Sequence, residues 1–302
     1  MSATAPLFDP IFLPRTAVQL QQLCALKVSG EDAAAFLQGQ LSNDIGKLNP
    51  RTAQISSYNS PKGRMLAVML VLADEQGYRL ILPTELAASI EKRLRMFVLR
   101  AAVTLAADRN PIQACFGALP DSIHAAAPDR PWSVERSQHQ TVLRMPGAQA
   151  RYLILDAQAQ DLPPGDWAWR YTDICAGVPI VWPSTQDHFV AQMANLDALD
   201  GISFDKGCYT GQEVIARLHY LGKLKRRMFF VRGDGEAPMP ASAIKNAGGD
   251  GPSVGEVVDA VSLPGGGFVA SAVLQVSAAE SDDLCLEGDA LRKLSKPVAY
   301  QY

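Results

Sequence analysis

Arg64 to Ala73 is an almost unbroken apolar run behind a Ser60-Pro61-Lys62-Gly63 turn, the pattern of a strand buried on both faces. Ile55 to Asn59 reads as the strand before it. Gly77 to Leu82, after an Asp74-Glu75-Gln76-Gly77 turn, reads as the strand after it. Pro83-Thr84-Glu85 opens a helix predicted to run to Val98, with Lys92, Arg93 and Arg95 toward solvent. Leu99 to Leu105 then returns as a strand. Upstream, a polar, proline-bearing lead-in covers 1–22, and Ala25 to Val28 is a short strand. Gly30-Glu31-Asp32 starts a helix through Leu37, with Ala33, Phe36 and Leu37 on its apolar face. The following turn, Gly39 to Asp44, leaves two readings open for Gln38, Gln40, Asn43 and Asp44: facing a site, or capping.

Residues 106–165 carry the weakest pattern, broken by Pro120, Pro128, Pro131, Pro146, Pro163 and Pro164. Trp132 to Arg136, Thr141 to Arg144 and Arg151 to Leu155 are its strand candidates, and His124 and His139 read as solvated. Trp167 to Gly177 is a helix ended by Gly177, with Pro179 behind it. From Met228 onward, apolar runs at Gly255 to Val261 and Phe268 to Leu274 flank Leu263-Pro264-Gly265-Gly266-Gly267. That is hairpin grammar, and it predicts a small C-terminal β-barrel. The three glycines precede no helix and no Lys-Ser/Thr, so they read as a turn and not a phosphate loop.

At 302 residues the chain exceeds one comfortable core and calls for two or three domains. Its 48% hydrophobic and 20% charged residues are those of an ordinary globular protein, and a net charge of −3 argues against general nucleic-acid binding. No apolar run approaches the ~20 residues that span a bilayer. The N-terminus lacks the basic start and apolar run of a signal peptide, so no membrane association and a cytoplasmic location are expected. The five cysteines (24, 115, 175, 208, 285) are widely spaced, form no C-x-x-C, and complete no metal-ligand pattern with His188 or His219.

Candidate chemistry is concentrated in Phe204 to Arg217, which places Lys206, Cys208, Tyr209, Gln212 and Glu213 within eight positions. Thr210 and Glu213 have the spacing of a capping box, predicting a helix from Gly211 with Cys208 just ahead of its N-terminus. The helix dipole and the Lys206 charge would both favour a thiolate there. Gly207 and Gly211 let the backbone turn sharply or approach a ligand. Taken singly, a buried structural cysteine and an ordinary cap are the commoner meanings; the combination points to a functional loop.

These residues, Lys206-Gly207-Cys208-Tyr209-Thr210-Gly211-Gln212-Glu213, resemble the K-G-C-x-x-G-Q-E signature of the YgfZ-type folate-binding family, relatives of the glycine-cleavage T-protein. Gln192 to Asp197, Gly201 to Phe204, Val28 to Ala33 and Phe36 to Asp44 add to the likeness, which runs from about Ala25 to the C-terminus. The resemblance implies an α+β fold of three parts around a central folate pocket. The main domain would comprise 1–50 plus 110–222, a ferredoxin-like section 51–109, and a C-terminal β-barrel 223–302. It implies a tetrahydrofolate-binding accessory protein that supports assembly or repair of iron–sulfur clusters in client enzymes, those of tRNA modification included. Cys208 would be the functional thiol and Lys206 would tune it. Gln192, Asn195, Tyr209, Gln212, Glu213 and Arg217 would hold the loop or the ligand, with Glu213 alternatively only a cap. By the same resemblance Trp169 stacks on the pterin; core packing is the competing reading. The basic run Arg217 to Arg227 is a solvated surface, a receptor for a folate's polyglutamate tail, or a weak RNA contact through which Tyr220 is the only interleaved aromatic.

Three departures from the resemblance matter. The T-protein's catalytic strand carries an aspartate pair, whereas Gly63 to Met69 holds Leu66 and Ala67 and no acid, which argues against aminomethyl transfer. Cys175 stands where relatives carry a pterin-binding glutamate. Leu23 stands where some carry a second folate-contacting tryptophan. A folate-dependent one-carbon transferase of the T-protein type is the competing function.

Overall fold

The computed structural model describes residues 13–14, 16–137, 140–158, 160–246, 251–286 and 292–302. The expectations for 1–12 and His139 lie outside these. Three antiparallel sheets form the fold.

β1 (Val18–Leu20) leads into β2 (Leu23–Ser29) and α1 (Ala33–Gln38). β3 (Ala53–Asn59), β4 (Met65–Asp74), β5 (Gly77–Pro83), α2 (Thr84–Val98) and β6 (Thr104–Asp108) follow. The strands β2 to β6 make one sheet in the order β3-β4-β5-β2-β6. β4, buried from Met65 to Leu72, supplies its interior as the apolar run predicts. In α2, Leu86, Ile90 and Leu94 recur every four residues and are the buried face. β2 is hydrogen-bonded between β5 and β6, so a domain boundary at 50/51 passes through this sheet.

The strand expected over Leu99 to Leu105 is displaced to β6. α2 ends at Leu99 with φ +45. The apolar residues after it form a turn in which the Ala102 N–H donates to the Asp32 carboxylate at 2.7 Å and the Asp32 N–H to the Ala102 carbonyl.

β7 (Ile112–Phe116), β8 (Val134–Arg136), β9 (Thr141–Met145) and β10 (Arg151–Leu155) join β1 in the order β1-β7-β10-β9-β8. α3 (Asp166–Ala176) ends at Gly177 (φ +69), where an added Cβ would sit 2.6 Å from the Tyr302 hydroxyl. After α4 (Gln212–Tyr220) come β11 (Arg226–Gly233), β12 (Ala243–Asn246), β13 (Gly255–Ser262) and β14 (Phe268–Gln275). The short strands β15 (Leu284–Leu286), β16 (Arg292–Lys293) and β17 (Val298–Ala299) complete the sheet β16-β15-β12-β13-β14-β11-β17. This sheet is a curled half-barrel where a small β-barrel was expected: β16 and β17 are its edges, and one isolated bridge, Gly233 to Leu294, ties the end of β11 to the residue after β16. Gly266 and Gly267 turn its β13–β14 hairpin at φ +94 and +75.

One core fuses the first two sheets, α3 and one face of the C-terminal sheet (Met228, Phe230, Val258, Val273). A second core, with Val231, Ile244, Phe268 and Leu284, fills the half-barrel. No helix among the described residues is long and apolar enough to cross a membrane.

Candidate functional site

The Cys208 loop is built by contacts from three distant segments. Lys206 is only 8% exposed, and its ammonium donates to the carbonyls of Leu41 and Asn43, both at 2.7 Å. Its Nζ also lies 5.0 Å from the centre of the Tyr209 ring. Burial lowers the Lys206 pKa to about 8, against a smaller opposing pull from Asp44. Burial likewise pushes the Tyr209 phenol up to about 12. The charge expected beside the thiol is therefore turned inward, anchoring the loop to the segment after α1. That segment is held by its own polar residues. Gln38 Nε2 donates to Asp44 Oδ1 at 2.8 Å, and Asp44 accepts the Gly46 N–H at 3.0 Å.

Thr210 and Glu213 do not form the expected capping box. The N-cap of α4 is Gly211, at φ +82, and no side chain caps the helix. The cause is non-local: the turn at Ser60 to Gly63 packs against it, and a Cβ on Gly211 would lie 2.6 Å from the Ser60 carbonyl. Gln212 reaches back instead, its Oε1 accepting the Tyr209 N–H at 3.3 Å. Glu213 is exposed in the first turn, and Arg217 is exposed in the last.

Gln192 and Asn195 lie behind the loop. Gln192 donates to the Ile215 carbonyl of α4 at 2.7 Å. Asn195, at φ +60, donates to the Met228 carbonyl of β11 at 2.9 Å and to the Tyr302 hydroxyl at 3.1 Å. Both amides therefore brace the elements on either side of the loop. Arg227 is committed to Asp197 through two bonds of 2.6 and 2.7 Å, which removes it from the free basic surface. Arg217, Lys223 and Lys225 stay exposed.

Cys208 is the only exposed cysteine of the five. Burial pushes the thiols of Cys115 and Cys175 to about 12 and raises that of Cys24. A Cβ added to Gly207 would meet nothing within 4 Å, so the space beside Cys208 is open.

Trp169 stands apart from this group. It is 1% exposed, with the Arg151 guanidinium 4.8 Å from its ring centre and the Phe116 ring at 6.2 Å. Arg151 in turn pairs with Asp173 at 2.6 Å, whose carboxyl is raised to about 6 by burial. The cleft that Trp169 shares with Leu23, Met69, Asp173 and Ile180 holds about 40 Å³. That is room for about one water molecule, and a pterin does not fit it as it stands. Trp169 is a core residue here.

Sequence reasoning did not single out the stack of Phe204 on His219 (3.7 Å between ring centres, 14°), with Tyr220 edge-on to both. Phe204 and His219 are fifteen positions apart, and no periodicity joins a loop to a helix.

No family model matches the chain. It is 31% identical over 282 residues, 87% of this chain and 86% of the relative, to the tRNA-modifying protein YgfZ of Colwellia psychrerythraea. The chain belongs to the YgfZ family. The YgfZ of Sodalis glossinidius is 29% identical, over 95% of this chain and 94% of its own. In three dimensions this YgfZ-family chain is similar to the glycine cleavage system aminomethyltransferase T of Bartonella henselae. The TM-score is 0.70 over 95% of this chain and 86% of that one, at 14% identity, a likeness of fold alone.

Proposed function

We propose that this protein is an accessory factor of tRNA modification that supports assembly or repair of iron–sulfur clusters in client enzymes, with Cys208 as its functional thiol and tetrahydrofolate as its cofactor. The observation that carries the reading is Cys208 itself: one exposed thiol, beside open space, on a loop anchored by Lys206 and leading into α4, which Gln192 holds. The other cysteines are buried or half-buried. The name of the relatives supports the tRNA side of the reading. A single thiolate cannot fill the four-ligand shell usual for a cluster, so a second chain or a small molecule would complete it.

Lys206 acts in this reading as a positioning residue. Arg217, Lys223 and Lys225 are the residues that would give weak contact to RNA phosphates. Folate is not assigned to the cleft at Trp169, because that cleft is filled.

The competing reading, a folate-dependent one-carbon transferase, rests on the fold likeness. Against it, β4 is apolar from Met65 through Ala73, with Leu66 and Ala67 where the acids would stand.

The test is replacement of the native chain by Cys208→Ala in a strain dependent on iron–sulfur tRNA-modifying enzymes. Modified-nucleoside levels should fall several-fold while the urea unfolding midpoint stays put, since exposed substitutions change stability by about 0.5 kcal/mol or less. Full modification by that variant overturns the reading.

A further inference from the structure

α4 buries one side chain completely, Ile215, and turns apolar residues outward. Val214, Leu218 and Leu221 stand at i, i+4 and i+7 with Arg217 at i+3, so the four share one stripe of the helix. Leu218 is half-buried against the core, whereas Val214 is exposed and Leu221 is 84% exposed. Tyr220, also exposed, borders the stripe, its ring edge-on to His219 and Phe204 at 4.8 and 6.3 Å. A single exposed leucine is ordinary on a protein surface. An aligned apolar set with a fixed tyrosine and an arginine beside it has the make-up of a protein interface.

The charge around the stripe has one sign. From Val214 to Arg232 the chain holds no acidic residue, and Glu213 is the one acid of α4. Arg227 is taken by Asp197, but Arg217, Lys223 and Lys225 are exposed and enter no ion pair among the described residues. In a chain of net charge −3 this is a local positive excess, and it favours a partner surface that carries carboxylates. The stripe itself favours protein over RNA. Phosphates and sugars offer nothing apolar for Val214 and Leu221 to bury. Bases need free rings to stack on, and His219 and Phe204 already stack on each other, which leaves Tyr220.

We infer that the outer face of α4 docks a protein partner that presents an apolar ridge flanked by carboxylates. The ridge covers Val214 and Leu221, and the carboxylates meet Arg217, Lys223 and Lys225. α4 begins four positions after Cys208 and its nine residues extend ~14 Å at ~1.5 Å per residue, so a partner seated on it lies beside the thiol. That the docked protein is the client served by Cys208 rests on the reading proposed above; the docking face does not.

The probe is a synthetic helical peptide with leucines at i, i+4 and i+7 flanked by glutamates, titrated into the full chain by fluorescence anisotropy. A peptide of the same composition with its leucines dispersed around the helix, and a single-stranded RNA oligonucleotide, are the comparisons. Leu221→Asp and the double variant Lys223→Glu/Lys225→Glu alter exposed residues and should leave the urea midpoint in place. Leu99→Asp, at a leucine 87% exposed at the end of α2, is the control. The striped peptide should bind at least tenfold more tightly than the dispersed one. Each α4 variant should weaken it at least tenfold, and Leu99→Asp should leave it unchanged. Absence of peptide binding, with or without RNA binding, overturns the docking face. So does equal binding of the two peptides, or binding that Leu99→Asp abolishes and Leu221→Asp spares. None of these outcomes depends on what Cys208→Ala does in cells. Modified-nucleoside levels in cells carrying Leu221→Asp decide the link between the two: a several-fold fall ties the docked partner to Cys208, and full modification by a chain that no longer binds the peptide upholds the docking face and removes the client from it.

Discussion

Lys206 is an ammonium out of water with two carbonyls as hydrogen-bond partners, and its pH behaviour follows from that placement. Burial lowers its pKa to about 8, below the ordinary 10.5. Between those values the unfolded chain holds a proton that the folded chain has released, so unfolding takes up a proton and rising pH favours the fold. Below pH 8 both states are charged and the fold carries the full cost of the buried charge. The urea midpoint of the native chain should therefore rise between pH 7.5 and 9.5 relative to Lys206→Met, which lacks the titrating group. A midpoint that falls, or runs parallel to the variant's, would place the ammonium in water. The window stops at 9.5 because Tyr209, held protonated to about 12, works in the opposite sense above 10.

At the scale of elements, the start of α4 is decided by the turn that packs on it. Gly211 takes φ +82, and a Cβ there would lie 2.6 Å from the Ser60 carbonyl and 2.8 Å from Gly63 Cα. Both obstacles are backbone and cannot swing aside. Gly211→Ala should cost about 1–3 kcal/mol, read as a lowered urea midpoint, from the left-handed strain alone; an unchanged midpoint would mean that the turn yields. The same contact explains what the sequence hid. T-x-x-E is a local pattern and reads as a cap, but a chain segment some 150 positions away sets the backbone. Where local pattern and burial agree, the reading holds: β4's apolar run, α2's four-residue repeat and the Gly177 stop of α3 were all legible. β1 and β7 were not, because three and five residues carry little pattern and each is made a strand by its partner. In the candidate site the sequence singled out Cys208, and the structure adds that its side chain is exposed. Lys206 was legible as a charge, but its direction was not, since its acceptors come from Leu41 and Asn43.

At the scale of the molecule, the C-terminal half-barrel has its own core and is joined to the rest largely through α3. Asp259, on β13 and 2% exposed, is the centre of that joint. It accepts from Arg170 Nε and Nη2 at 3.1 and 2.5 Å and from Trp182 Nε1 at 3.0 Å, while Trp167 Nε1 donates to the Ser262 carbonyl at 2.7 Å. Removing the carboxylate leaves the partly exposed Arg170 guanidinium with the Ala260 carbonyl as its remaining acceptor and the Trp182 indole N–H with none, a loss of up to about 3–5 kcal/mol for a buried pair broken on one side. Because the half-barrel keeps the core around Val231, Phe268 and Leu284, the damage should fall on the joint. Calorimetry of Asp259→Ala should then show a lower-temperature shoulder split from the main transition, with Asp259→Asn, which keeps one acceptor oxygen, lying between. A single transition at the native temperature would show that the apolar interface alone holds the parts together. The joint also bears on the site, since the segment whose Gln192 holds α4 bonds directly to β11, Asn195 to the Met228 carbonyl and Asp197 to Arg227. A loosened half-barrel should therefore lower Cys208-dependent activity though Asp259 touches no residue of the loop, and full activity in a variant that shows the split would separate the loop from the joint.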